Sequence, residues 1–447
     1  RDVDINYKLF NYLKKESLGF SKECIKLEHK VTHILEQQKQ NGFLFNDEQA
    51  MFLASELSCK LKETEDKVHE TFKPLPTFVK EITPKYKKDG TMSVVGLKFL
   101  GDQWENYTAP FSRIDYPAFN LGSRQQIGRY LQFFGWKPEK FTEKGHVIVD
   151  EAILSKVTGI PEANMIAEYL MVQKRIAQVQ SWLDAVEDDG RVHGYVNANG
   201  AVTGRMTHSS PNVAQVPSSS APYGKDCRAC WTVPKGYKVV GMDASGLELR
   251  MLAHYMNDEG YTNEILTGDI HTANQLASGV DTRSQAKTFI YAFLYGAGDA
   301  KIGSIVGGTA RDGKRLKEKF LSNTPSLKDL RERVSVASGR GYVHGLDRRR
   351  VAVRSEHSAL NTLLQSAGAI VMKKALCLLD EYASAWKIDY KFIGNIHDEI
   401  QTEVRADEAE VFGRLAVSCV EAAGTYYKLN CPLAGEYQVG DNWSETH

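Results

Sequence analysis

A chain of 447 residues is longer than one compact core, so two to four subdomains are expected. With 42% hydrophobic and 25% charged residues the composition is globular; no apolar run of about 18 residues is found, so neither a membrane-spanning helix nor a secretory leader is expected. Lys plus Arg and Asp plus Glu number 56 each, so the net charge is zero and no overall basicity marks a nucleic-acid binder, although cations gather at 85–88, 314–319 and 348–350.

The opening at Arg1, without methionine, is expected of a fragment or a processed chain. Residues 1–17 read as one helix, with Val3, Tyr7, Phe10 and Leu13 on one side. Residues 23–40 read as a second, with Ile25, Leu27, Val31, Ile34 and Leu35 in period. Asn46 is suited to cap a third, whose first turn carries acids. These predict an antiparallel helical arm. Between 73 and 117, Pro74, Pro76, Pro84, Pro110 and Pro117 break the pattern, and 91–101 offers a strand at most. That excursion reads as irregular, and excursions of such length are commonly functional. Ser123 caps a helix closed by Gly135, and 161–186 is long helix again.

Around His193 the texture turns to strand and turn. Residues 237–242 form a short apolar strand running into a helix from Leu247, and helices continue to about Ser338. The basic stretch 347–354 leads into a long helix over 358–385. A hairpin follows over 389–404, with His397, Asp398 and Glu399 at its turn, then a helix over 406–423 and a short tail. The seven cysteines are scattered, and Cys227 and Cys230 make a lone C-x-x-C without a second pair at zinc spacing. Free thiols in a reducing compartment are expected, not zinc or redox chemistry.

Arg283, Lys287, Tyr291 and Tyr295 are each four apart, so they form one row along a helix that Gly296 and Gly298 end. Two cations followed by two aromatics suit a nucleoside triphosphate, phosphates at one end and flat rings at the other. An amphipathic helix with a surface Arg and Lys is the plainer alternative. Asp243 ends its strand and Asp398 sits at the hairpin turn, and acids at strand ends can meet across one sheet. Facing carboxylates repel unless cations lie between them. A pair of magnesium ions about 3.5–4 Å apart answers that and serves in-line displacement at phosphorus. Alone, each Asp reads equally as a turn or cap residue. His271, in the run TGDIHTANQ, offers a further phosphate contact or a helix cap.

In order, DASGLELR, the row from Arg283 to Gly296, and IHDE resemble the three polymerase motifs of family A (polymerase I-like) DNA polymerases. TGRMTHSSPNVAQVP, LNTLLQSAGA and the ending GDNWSETH are similar to further family segments. VNANGAVTGR, APYGKDCRA and KTFIYAFLYGAGD resemble the replicative branch of T-odd podoviruses. The resemblance implies an α+β right-hand fold, with helical thumb and fingers and a palm bearing a small antiparallel sheet. It implies a remnant helix of an exonuclease domain at 1–17, a thumb at 18–186 with 73–117 inserted, palm at 187–254 and 351–447, and fingers at 255–350. It also implies template-directed addition of deoxynucleotides to a primer 3′ end by two-metal-ion nucleotidyl transfer.

Residue by residue, the resemblance makes Asp243 and Asp398 the metal-binding carboxylates for two Mg2+ ions and Glu399 a secondary catalytic acid near the primer end. Arg283, Lys287 and His271 would bind the triphosphate. Glu248, with Tyr291, would close the space a ribose 2′-hydroxyl needs, which makes the substrate a deoxynucleotide. Tyr291, where the bacterial branch commonly has phenylalanine, implies ready use of dideoxynucleotides. Tyr295 would stack near the templating base. Arg205, Asn361, Gln365 and His397 would read minor-groove acceptors and the primer terminus, which checks pair shape and not sequence.

RDVDINYK resembles the last helix of the family's proofreading exonuclease, with Asp2 as its motif's acid and the partner tyrosine missing, so no proofreading is expected in this chain. The podovirus branch recruits thioredoxin at a thumb insertion; the 73–117 excursion lies at the equivalent place, which makes thioredoxin or another processivity factor a candidate partner. Primer-template DNA and dNTP are the other expected partners. The site of action would be the cytoplasm, that of the host cell for a phage enzyme. A single-subunit RNA polymerase and a non-catalytic DNA-binding relative are the rival readings.

Overall fold

A computed structural model describes residues 1–93, 109–157 and 159–446. They fall into two compact units, 1–50 with 181–447, and 51–180. Helix α1 (Asp2–Glu16) buries none of its residues. In α2 (Lys22–Asn41), Ser21 caps the start and Leu27, Val31, Ile34 and Leu35 are buried, as their period predicts. A short strand, β1 (Phe43–Phe45), leads to α3 (Asp47–Thr71), where the Asn46 side chain accepts from the Gln49 N–H at 3.0 Å.

The excursion expected to be irregular contains two strands, β2 (Thr77–Ile82) and β3 (Phe111–Asp115), paired antiparallel. Its prolines sit outside both strands, where a missing N–H costs no ladder bond. The strand expected over 91–101 falls mostly outside the described residues. Helices α4 (Arg124–Phe133), α5 (Glu151–Leu154) and α6 (Pro161–Leu183) follow, and Ser123 caps α4. Phe72, Phe119, Ile127, Leu131 and Ile166 lie in a core confined to the 51–180 unit.

The larger unit resumes with the short strands β4 (Arg191–Val192), β5 (Tyr195–Asn197) and β6 (Thr207–Ser209), helix α7 (Gly224–Ala229) and β7 (Trp231–Thr232). Strand β8 (Tyr237–Ala244) runs two residues beyond the expected end, so Asp243 lies within it. Seven helices follow: α8 (Leu247–Met256), α9 (Glu259–Leu266), α10 (Ile270–Ser278), α11 (Arg283–Leu294), α12 (Asp299–Ser304), α13 (Ala310–Asn323) and α14 (Pro325–Ser338). The basic stretch lies in a small hairpin, β9 (Tyr342–His344) and β10 (Arg350–Ala352), which sequence patterning did not reveal.

Helix α15 (Ala359–Ala385) corrects the apolar-run reading. The segment Glu356–Ala385 is long and apolar enough to cross a membrane by length and composition, yet 78% of its apolar window is buried inside the protein. It is the spine of the core, packed on α2, α8, α14 and α16 (Ala409–Tyr426). Strands β11 (Tyr390–Ile396), β12 (Glu399–Arg405) and β13 (Gly435–Gly440) join β8 in one antiparallel sheet, order β11-β12-β8-β13. Val240, Met242, Ile400 and Val404 face the helices in the main core. The alternate residues of β12, Glu399, Gln401 and Glu403, are polar and buried on the other face.

Candidate active site

Register brings the two aspartates together. Asp243 on β8 stands opposite Glu399 on β12, and the Ala244 N–H donates to the Asp398 carbonyl at 3.1 Å. Opposed residues in an antiparallel pair are about 5 Å apart at Cα, so Asp243 and Asp398 share one corner of the sheet. The β11–β12 turn needs His397 in the left-handed region, φ 60°, a conformation that a non-glycine residue adopts at a cost. Burial pushes the Asp398 carboxyl above the ordinary carboxylate range, with Arg205 and His397 opposing and Glu248 adding to the rise. Among the described residues no Lys or Arg comes within ion-pair distance of Asp398, and no group of three or more His, Cys, Asp or Glu forms a metal cage. Two neighbouring carboxylates, one of them half-buried and short of positive charge, fit divalent cations that keep waters and substrate oxygens as their other ligands.

Helix α11 starts at a capping box. The Thr282 hydroxyl accepts from the Gln285 backbone N–H and the Gln285 side-chain Oε1 accepts from the Thr282 N–H. Phe289, Ile290, Phe293 and Leu294 bury its inner face, which turns the row of four outward. The Arg283 guanidinium forks onto Asp269, Nε to Oδ2 at 2.6 Å and Nη2 to Oδ1 at 3.1 Å. His271 sits beside the row: burial lowers its pKa, and Arg283 and Lys287 lower it further. Its ring lies 6.4 Å from that of Tyr291, and its Nδ1 is buried without a hydrogen-bond partner. Tyr291 and Tyr295 stack at 6.5 Å. Burial raises the Tyr291 hydroxyl pKa, and the charges of Glu248 and Asp398 raise it further, which ties the row to the carboxylate corner.

Glu248, on the first turn of α8, joins three elements. Its two oxygens lie 2.9 and 2.8 Å from the Tyr295 hydroxyl, and Arg205 Nη2 donates to Oε1 at 3.0 Å. Asn361 and Gln365 lie one turn apart, partly exposed, on α15, and His397 is exposed at the turn. None of these three side chains hydrogen-bonds to another described residue. The structure thus brings together Asp243, Asp398, Glu248, Arg205, Tyr291 and Tyr295, with His271, Lys287 and Arg283 continuing along α11.

Glu399, expected as an acid near the primer end, stands opposite Asp243 in the sheet. It is 5% exposed, and its Oε1 accepts from Trp443 Nε1 and Gln401 Nε2, each at 2.5 Å. Sequence reasoning also missed Asp269, although an Asp before an apolar helical run is the ordinary mark of an N-cap.

The profile of DNA polymerase family A matches residues 98–445. The chain belongs to DNA polymerase family A. It is 40% identical to the DNA-directed DNA polymerases of Escherichia phage T7 and Enterobacteria phage T3, over all of this chain and 72% of each of theirs. The thermostable DNA polymerase I of Thermus aquaticus is 28% identical over 73% of this chain and 42% of its own. The POL domain of Pol1 from M. smegmatis, solved in complex with DNA primer-template and dNTP, superposes with a TM-score of 0.76 at 20% identity, over 94% of this chain and 70% of that one. That likeness shows the right-hand polymerase fold. This family A member is a DNA-directed DNA polymerase, a nucleotidyltransferase that copies a template. Enzymes of the family use divalent metal ions.

Proposed function

We propose that Asp243 and Asp398 hold two Mg2+ ions at the corner of the palm sheet, and that Arg283, Lys287 and His271 take the triphosphate of the incoming dNTP. The register that sets Ala244 N–H on the Asp398 carbonyl carries this reading, because it makes the two acids neighbours. When bound, the metal ions would polarise the phosphoryl oxygens and lower the pKa of the primer hydroxyl. The chain's own residues do the rest. Arg283 and Lys287 neutralise phosphate charge, and Tyr291 with Glu248 closes against the sugar, so a 2′-hydroxyl is excluded. Tyr295 lies at the template-base end of the row. Arg205, Asn361, Gln365 and His397 present donors to the minor groove of the primer-template. The hydrogen bonds of Glu248 to Arg205 and Tyr295 support this, because they tie the sugar-facing acid to both neighbouring groups.

In this reading Glu399 supports the site and does not enter it. Residues 187–254 and 351–447 serve as palm, 255–350 as fingers and 18–186 as thumb. A processivity factor, thioredoxin or another, would dock at 73–117, and the enzyme would work in the host cytoplasm; absence of the chain from a thioredoxin pull-down removes that partner. Asp398→Ala is expected to abolish primer extension, by at least a thousandfold, while primer-template affinity measured by anisotropy stays within a few-fold. Retained synthesis in that variant would overturn the metal assignment.

A further inference from the structure

Glu399 starts from the same corner as the two aspartates. It faces Asp243 across the sheet and follows Asp398 in sequence, and opposed residues of an antiparallel pair share a face. Three carboxylates could therefore converge, yet among the described residues no three ligating side chains gather as a metal site. Buried partners hold the third one. The Trp443 indole and the Gln401 amide both donate to Glu399 Oε1, and Arg228 Nη1 lies 3.7 Å from the same oxygen.

Each partner is itself held. The Arg228 guanidinium lies 4.4 Å over the Trp443 ring, and its Nε donates to the Pro217 carbonyl at 2.9 Å. Trp443 is fully buried against Phe43 and Trp231, with ring centroids 6.0 and 6.2 Å away. The Thr446 hydroxyl donates to Gln401 Oε1 at 2.9 Å, which fixes the amide with its NH2 toward Glu399. Gly241 leaves room for this layer, since a Cβ there would come within 2.5 Å of the Thr446 carbonyl and 2.6 Å of Gln401 Nε2.

We propose that Trp443 and Arg228 are positioning residues for nucleotidyl transfer: they hold the Glu399 carboxylate away from Asp243 and Asp398, so two acids and not three face the metal ions. The inference rests on the metal reading above. Its physical basis is coordination. Mg2+ in a phosphoryl-transfer site is held by one or two carboxylates and needs its remaining positions for water and phosphate oxygens. A third carboxylate would take one of those positions and bind the ion too tightly for substrate to share it.

Trp443→Phe keeps an aromatic ring in the cluster and removes the N–H that donates to Glu399, at the cost of some buried ring volume beside Arg228. Mn2+ binding to the enzyme–primer-template complex, read from the free-ion electron paramagnetic resonance signal, is expected to tighten several-fold in this variant. Glu399→Gln added in the same background is expected to return the affinity to that of the unaltered enzyme. Single-turnover incorporation should slow about tenfold in Trp443→Phe, with the dNTP concentration for half-maximal rate within twofold. Should Trp443→Phe melt at the assay temperature, Arg228→Lys, which keeps the charge and loses the stacked fork, gives the same comparison. Unchanged Mn2+ affinity in the folded variant overturns the proposal. So does weaker Mn2+ binding in Glu399→Gln alone, which would make Glu399 a ligand. Asp398→Asn tests the metal reading separately: Mn2+ binding that survives that change removes the metal assignment itself.

Discussion

The Arg283 guanidinium is committed to one carboxylate, and that carboxylate is fixed. Asp269 N-caps α10 through the His271 and Thr272 N–H groups and the Thr272 hydroxyl, while Arg283 holds the Asp269 carboxyl well below the usual range. The pair is exposed, so it adds little to stability. In the role proposed for Arg283, its consequence is competition, because a triphosphate would seek the same guanidinium. Asp269→Asn preserves the cap, since Asn caps as well as Asp, and removes the rival charge. The KM for dNTP is expected to fall about fivefold, roughly 1 kcal/mol, with the melting midpoint unchanged. A rise in KM would mean instead that Asp269 aims Arg283 at the phosphates. The spacing of Arg283, Lys287, Tyr291 and Tyr295 made the row legible in sequence, because i,i+4 neighbours are a local property of a helix. The Asp269 clamp and the Glu399 restraint were not legible, because their partners stand 14 and 44 residues away on other elements.

At the scale of elements, long periodic segments read correctly and short ones did not. Helices α2, α11 and α15 and the β11–β12 hairpin each carry several turns or pairs of consistent pattern. Strands β9 and β10 have three residues each, and β13 reads GEYQVG, with a glycine at either end. Only pairing with β8 makes β13 a strand, which is tertiary context overriding weak propensity. His254 helps pin the connection before β13 to α8, beside Arg250, whose Nη1 donates to the Pro432 carbonyl: His254 Nδ1 accepts from the Asn430 N–H at 3.1 Å, and Asn430 Nδ2 donates to the His254 carbonyl at 3.3 Å. Burial holds the His254 pKa below its ordinary 6.5. As pH falls through 6.5, the unfolded chain takes up this proton and the folded chain does not, so stability is lost toward acid. The melting midpoint is expected to fall between pH 7 and pH 5, and to fall less in His254→Gln, whose amide oxygen still accepts from Asn430. Equal slopes in the two proteins would show that His254 is not a source of the acid sensitivity.

For the whole molecule, the zero net charge gave no sign of a polymerase, because clustered acids and clustered cations cancel in any sum. Organisation into two units has a direct thermodynamic consequence. The 51–180 unit has a core of its own, with Ile127, Leu131, Leu154 and Ile166 fully buried, and the larger unit has a separate core built on β8, α11 and α15. Units with separate cores can melt as separate cooperative blocks, and one two-state transition is then not expected. Calorimetry on the full chain should resolve two transitions. Leu131→Ala removes a fully buried side chain from α4, a loss of about 2–5 kcal/mol including the cavity. It should lower one transition and leave the other in place, and it should leave Mn2+ affinity at the proposed Asp243–Asp398 site unchanged. If both transitions fall together, the two cores unfold as one cooperative block.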